Sequence, residues 1–323
     1  MQALARNKAA AGAALLLTAT IAWGGMFPIA DRALHHVDSF WLTAIRYTGA
    51  TLIFVALLVL AEGRAALSYA GRFGRVFVLG TAGFAGFNLL SYAGLEHTRP
   101  QSASLIVAMM PLVTVLVVWA RTKVAPAPAQ LGFVALALFG VALVISRGHV
   151  SDLVSGGIGG DALVLAGATL FVLYTMGAAS FADWSPLRYT ALSAVGGTVS
   201  ILAITFASTA FGWISAPSGH DLSVTAPAMV YVILAAAVVA VLSWNSGIRL
   251  LGPQDGTLFL NVVPITTFTI AIIRGYQPVG AELIGAGITI SALVAANIYA
   301  RQAIASEAAN ATAPNVAPST VGA

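Results

Sequence analysis

The chain has 323 residues, of which 59% are hydrophobic and 8% charged, with a net charge of +4 and a mean hydropathy of +0.91. A water-exposed surface needs about 25% charged residues, so a soluble globular protein is excluded, and a small charge without a Lys/Arg run excludes a nucleic-acid footprint. The absence of cysteine excludes disulfides, thiolate metal sites and cysteine nucleophiles.

Residues 1–9 carry Arg6 and Lys8 and read as a short cytoplasmic N-terminus. The apolar stretch that follows is too long for a signal-peptide core and reads as a first membrane helix. Apolar stretches lie at 10–30, 40–61, 76–95, 101–120, 129–146, 161–181, 187–211, 226–247, 256–273 and 281–300. Each approaches the ~20 residues needed to cross a bilayer core. Backbone groups in lipid must be satisfied internally, and stretches this long favour helices over barrel strands. The expectation is an all-α integral membrane protein of ten transmembrane helices. A Gly-rich linking loop, 148–160, separates a first unit, 10–147, from a second, 161–301. The Ala/Pro/Ser-rich tail, 302–323, has no apolar face to bury and is expected to be disordered.

With the N-terminus cytoplasmic, the inner segments hold ten of the fifteen basic residues: Arg6, Lys8, Arg64, Arg72, Arg75, Arg121, Lys123, Arg188, Arg249 and Arg301. The outer loops hold four: Arg32, Arg99, Arg147 and Arg274. This obeys the positive-inside rule and places both termini in the cytoplasm. A bacterial inner membrane is the expected location. Arg46 is the fifteenth and the one basic residue inside a proposed helix.

The fourth and ninth stretches resemble one another. Pro100 to Thr114 reads PQSASLIVAMMPLVT and Pro253 to Thr267 reads PQDGTLFLNVVPITT. At that offset Pro100, Gln101, Leu105, Pro111 and Thr114 match Pro253, Gln254, Leu258, Pro264 and Thr267, and Gly94 and Gly132 match Gly247 and Gly285. A repeat unit of five helices enters the membrane from opposite sides in its two copies. Such inverted repeats build secondary transporters with a central site and alternating access. Pro111 and Pro264 each remove a backbone hydrogen bond near mid-depth and are hinge candidates.

With Trp23-Gly24 in the first helix, Arg46 in the second, Ala103 to Leu116 in the fourth and Gln130-Leu131-Gly132 opening the fifth, the chain resembles the drug/metabolite transporter superfamily, EamA type. Within it the chain looks most like YddG-type exporters of aromatic and other amino acids. The resemblance covers about residues 10–300 and implies ten helices in two inverted halves that export small metabolites. EamA proteins commonly show Gly-Glu after the fourth and ninth helices. Here those places read Arg121-Thr122-Lys123 and Arg274-Gly275-Tyr276.

Intramembrane carboxylates mark proton relays and cation sites. All eleven acids here fall at helix ends, in loops or in the tail. That disfavours a small multidrug-type antiporter and suits a neutral or zwitterionic solute. Trp23 and Phe27 could stack on a substrate ring, beside Gly24 as a point of close approach or bending. Asn88 and Tyr92 share a face of the third helix; helix–helix bonding and substrate contact are both open. Met109 could supply an adaptable apolar wall. Tyr174, Trp244, Asn245 and Asn261 should converge on the same cavity by pseudo-symmetry. Arg46 could snorkel outward toward Asp31 or Asp38, or form a gate or a contact with a substrate carboxylate. His35-His36-x-Asp38 lacks a third metal ligand, and no cofactor is expected. Multidrug or nucleoside export is the nearest alternative. An intramembrane enzyme would need a paired acid, a Ser/His couple or a metal at membrane depth, and a membrane sensor would not need the repeat.

Overall fold

The computed structural model describes residues 2–149, 158–251 and 256–312. The matched Pro253 and Gln254 and most of the 148–160 linking loop lie outside them. The described residues are helical throughout, joined by short turns, as apolar sequence in a bilayer requires. Eight helices are long and apolar enough to cross a membrane: α1 (Lys8–Leu34), α2 (Ser39–Glu62), α3 (Phe73–Leu95), α5 (Pro128–Ser146), α6 (Ile158–Phe181), α7 (Pro186–Ala210), α8 (Gly219–Leu251) and α10 (Gly280–Tyr299). A ninth, α4, is the pair Pro100–Ala108 and Met110–Thr122, bent by 50°. A shorter apolar helix, α9, spans Phe259–Ile273.

Helix ends follow local chemistry. Asp38 accepts from the Phe40 N–H at the start of α2, and Ser185 from the Arg188 N–H at the start of α7. Pro100, Pro128 and Pro186 occupy first turns, where a missing N–H costs nothing. The final helix runs on to Thr312, through residues expected to be disordered. Alanines at 303, 305, 308 and 309 have the highest helix propensity and carry it.

Three departures from the regular helix matter. The α4 break falls at Met109, two residues before Pro111, whose ring would strike the Val107 carbonyl in a straight helix. Thr81–Gly86 in α3 and Tyr231–Val239 in α8 are π-helical. Such segments leave carbonyls poorly used by the helix itself and recur at functional sites.

Packing pairs α1 with α8, α6 with α3, α2 with α7, α5 with α10, α1 with α9 and α6 with α4. Glycine allows the closest crossings. A Cβ on Gly94 would lie 2.5 Å from the Gly160 carbonyl, and one on Gly247 would lie 3.1 Å from that of Gly12. At Gly140 and Gly285 the two backbones meet as closely.

Side-chain bonds define two ends. Arg72, Arg75, Asp183, Ser185 and Arg188 tie the 63–72 and 178–188 segments at one end. Arg99, Glu282, Tyr276 and Arg147 lie at the other.

Candidate functional site

An arginine inside a membrane bundle is costly unless each N–H finds an acceptor. Arg46, only 3% exposed, is held in this way in the first half of α2. Its Nη1 donates to Asn88 Oδ1 at 2.9 Å and to the Tyr92 hydroxyl at 2.8 Å. Its Nε donates to the Val232 carbonyl at 3.1 Å, and Nη2 makes a long 3.5 Å contact with the Ala236 carbonyl. Both carbonyls belong to the π-helical turn of α8, on one face four residues apart. The guanidinium also lies 5.0 Å from the Tyr47 ring centre and 5.7 Å from that of Tyr92.

Among the described residues no carboxylate pairs with Arg46. The expected outward pairing with Asp31 or Asp38 therefore does not form. The side chain reaches toward α3 and α8 instead, because Asn88, Tyr92 and the Val232 and Ala236 carbonyls lie within its length there. The acceptors are all neutral, so the positive charge is solvated but not cancelled.

Each partner is itself fixed. Asn88 Nδ2 donates to the Phe84 carbonyl at 2.9 Å, which turns its oxygen toward Arg46. Tyr92 uses its oxygen as acceptor and keeps its own proton available. Phe27 and Met109 are buried in the same apolar cluster as Tyr92, Met109 at the break of α4.

Trp23 lies beside this centre. Its Nε1 donates to the Ala236 carbonyl at 3.0 Å, the oxygen that Arg46 also approaches. Its ring meets Trp244 at 5.3 Å and 50°. The neighbouring turn of α1 is wedged between α8 and α9. The Tyr231 hydroxyl donates to the Ala22 carbonyl, and Thr267 Oγ1 to that of Gly24. A Cβ on Gly24 would fall 2.5 Å from Thr266 Cβ, so only glycine fits. Asn261 and Pro264 are buried at the start of α9.

Two residues expected at the centre are elsewhere. Tyr174 stacks on Tyr189 at 5.1 Å and reaches Ser193 at 3.2 Å. It connects to the Arg46 layer through Phe84 and Tyr47. Asn245 lines a cavity of about 290 Å³ at the Arg72 end. Both helices were placed correctly, but one residue of rotation about a helix turns a side chain by about 100°. The Val232 and Ala236 carbonyls, which hold Arg46, were missed because a main-chain acceptor leaves no mark in sequence. Tyr47, next to Arg46, could have been found by asking what aromatic face lies near a buried cation.

At the Arg99 end, Glu282 is wholly buried. Its Oε1 accepts from Arg99, from the Tyr276 hydroxyl at 2.5 Å and faces Arg147 Nε at 3.6 Å; Oε2 accepts from the Val279 N–H at 3.0 Å. Arg99 donates further to the Val144 and Ile145 carbonyls. Burial, then the hydrogen bond to Glu282, raises the Tyr276 phenol above its ordinary range, so it stays protonated and donating. At the Arg72 end, Arg72 grips Asp183 at 2.8 and 2.5 Å and holds its carboxyl down to about 2.

Residues 10–146 match the EamA-like transporter family. The uncharacterized transporter YrdR of Bacillus subtilis is 33% identical over 296 residues, 90% of this chain and 92% of its own. A probable terminal-alkyne amino-acid exporter of Streptantibioticus cattleyicolor is 24% identical over 287 residues, 88% of this chain and 92% of its own. A solved crystal structure, 20% identical, superposes with a TM-score of 0.64 over 90% of this chain and 99% of that one, which is a likeness of fold.

Proposed function

We propose, from the premise that the chain belongs to the EamA-like transporter family and is a membrane-embedded transporter rather than an enzyme, that it exports small neutral or zwitterionic metabolites bearing a carboxylate, amino acids including aromatic ones. The observation that carries this is Arg46, a buried cation whose partners are all neutral. A carboxylate arriving beside it would supply the missing charge. Charge-assisted hydrogen bonds of this kind are worth about 1.5–3 kcal/mol each. Trp23, Phe27 and Trp244 offer aromatic faces nearby for an apolar side chain. A cationic drug would meet a like charge, which weighs against multidrug export. The name of the Streptantibioticus relative agrees with an amino-acid solute.

The route is alternating access through ten spans, α1 to α10, built as inverted halves. Several observations favour this. Exchanging the first five helices for the last five maps α1/α8 onto α6/α3 and α1/α9 onto α6/α4, and maps α2/α7 and α5/α10 onto themselves. The same exchange maps the Gly94–Gly160 crossing at one end onto Gly247–Gly12 at the other. The π-helical turns fall in the third helix of each half; α4 is broken just before Pro111, and α9 changes from 3-10 to α geometry just before Pro264. Pro111 and Pro264 then serve as hinges. The basic-residue asymmetry makes the Arg72 end cytoplasmic, in a bacterial inner membrane.

The test is solute flux in vesicles holding the purified chain. Arg46→Gln should raise half-saturation for phenylalanine roughly tenfold or more and erase its advantage over phenethylamine, which lacks the carboxylate. Wild-type flux no greater than that of empty vesicles would end the transport reading for amino acids. An Arg46→Gln variant with unchanged preference would remove Arg46 from the site.

A further inference from the structure

We propose that the cavity between α2, α7 and α8 at the Arg72 end is a second, loading site for a free amino acid, with Glu62 facing its ammonium and Arg249 its carboxylate. This rests on the transport reading above, and adds a site that the Arg46 centre does not contain.

The cavity holds about 290 Å³, at the lower limit of small-molecule pockets. Its wall combines both signs of charge with an apolar patch: Glu62 from α2, Arg249 and Asn245 from α8, Thr190 from α7, and the side chains of Val241 and Leu242. Glu62 has one bond, accepted at Oε1 from the Ser185 hydroxyl, and its other oxygen is open. Arg249 makes no hydrogen bond or ion pair among the described residues. An acid and a base on two helices, left apart across a cavity, match a solute that carries both charges. A simple cation or anion would satisfy one wall and leave the other unpaired.

The cavity and the Arg46 centre share helix α8. Asn245, in its wall, adjoins Trp244. Trp244 meets Trp23, and Trp23 is bonded to the Ala236 carbonyl that Arg46 approaches. Asn245 is nine residues beyond Ala236, roughly 13 Å along α8. The tryptophan pair thus lies at a depth along α8 between the cavity wall and the buried guanidinium. A carboxylate leaving Arg249 has a second arginine ahead of it.

The experiment uses the full chain in vesicles made without ethanolamine lipids, so that no membrane ammonium competes. Initial phenylalanine flux is measured against concentration, with each variant checked for monodispersity. Glu62→Gln and Arg249→Gln should each raise the half-saturating concentration about tenfold and leave the maximal rate within about twofold. Phenethylamine should compete equally well against wild type and Arg249→Gln, and 3-phenylpropionate equally well against wild type and Glu62→Gln. Ser246→Trp, which fills the cavity without altering charge, should raise half-saturation as well. If the wild type shows no flux, the transport reading itself fails. If it shows flux and all three variants keep its half-saturation, the loading site is overturned and the transport reading stands. A fall in maximal rate alone, at unchanged half-saturation, would also overturn it, because a binding site acts on half-saturation.

Discussion

The two ends of the molecule are held by different chemistry. At the Arg99 end a wholly buried carboxylate of α10, Glu282, gathers Arg99 before α4, Arg147 after α5, and Tyr276 and the Val279 N–H from the turn before α10. At the Arg72 end the ion pair Arg72–Asp183 is exposed, joins neighbouring turns, and leaves a cavity between α2, α7 and α8. Glu282 itself has no water to replace a lost partner, although Arg99 and Arg147 are 31% and 41% exposed, so removing one of them leaves its buried charge less well compensated. An exposed pair is replaced by water at little cost. The first is a fastening that has to be released as a unit; the second is trim on a region already open.

The largest effect should therefore come from Arg99→Ala. It removes the nearest cation from Glu282, leaving Arg147 at 3.6 Å, and should cost about 1.5–3 kcal/mol, read as a fall in unfolding temperature or as opening of that end. The chain has no cysteine, and Val144 is wholly buried at this end, so Val144→Cys reports opening through its rate of maleimide labelling. Labelling should accelerate in the Arg99→Ala background. Arg99→Met with Glu282→Met removes both charges and should recover most of the stability. If Arg99→Ala behaves like wild type in both readouts, the two ends do not differ as described.

A middle effect is expected at the break of α4. Pro111→Ala restores the hydrogen bond that proline withholds and favours a straight helix through Met109. Stability should hold or rise while phenylalanine flux falls about tenfold, because a stiffened hinge slows the conformational step and leaves the Arg46 contacts intact. Flux equal to wild type would make the 50° bend a packing feature.

Much of this was legible in the sequence, and unevenly. The spans followed from apolar length, and the break in α4 from Pro111. Arg46, Asn88 and Tyr92 stood out because polar groups in apolar helices need partners. What could not be read was where Arg46 points. Snorkelling and inward burial cost similar amounts on paper, and the balance is tipped by two carbonyls of a π-helical turn that no residue type encodes. Tyr174 was assigned to the centre by symmetry, but the clasp of Tyr189, Ser193 and Gly83 draws it aside. Glu282 looked like an ordinary helix-end acid. Its burial depends on Arg99 and Tyr276, which are distant in sequence.

The smallest effect belongs to the exposed pair. Arg72 holds the Asp183 carboxyl at about 2, below the roughly 3.9 of an unfolded aspartate. A depressed carboxyl contributes stability that is fully present above the unfolded value and is lost as pH falls through the folded one. Between pH 5 and 8 Asp183 is ionised in both states, so its contribution there is flat. Asp183→Asn should thus shift the unfolding temperature by a small, constant amount across pH 5–8 and converge with wild type only toward pH 2. Flux and Val144→Cys labelling should not change. A pH-dependent difference within 5–8, or a loss of stability rivalling Arg99→Ala, would mean that the Arg72 end is fastened after all, and that the asymmetry between the two ends lies elsewhere.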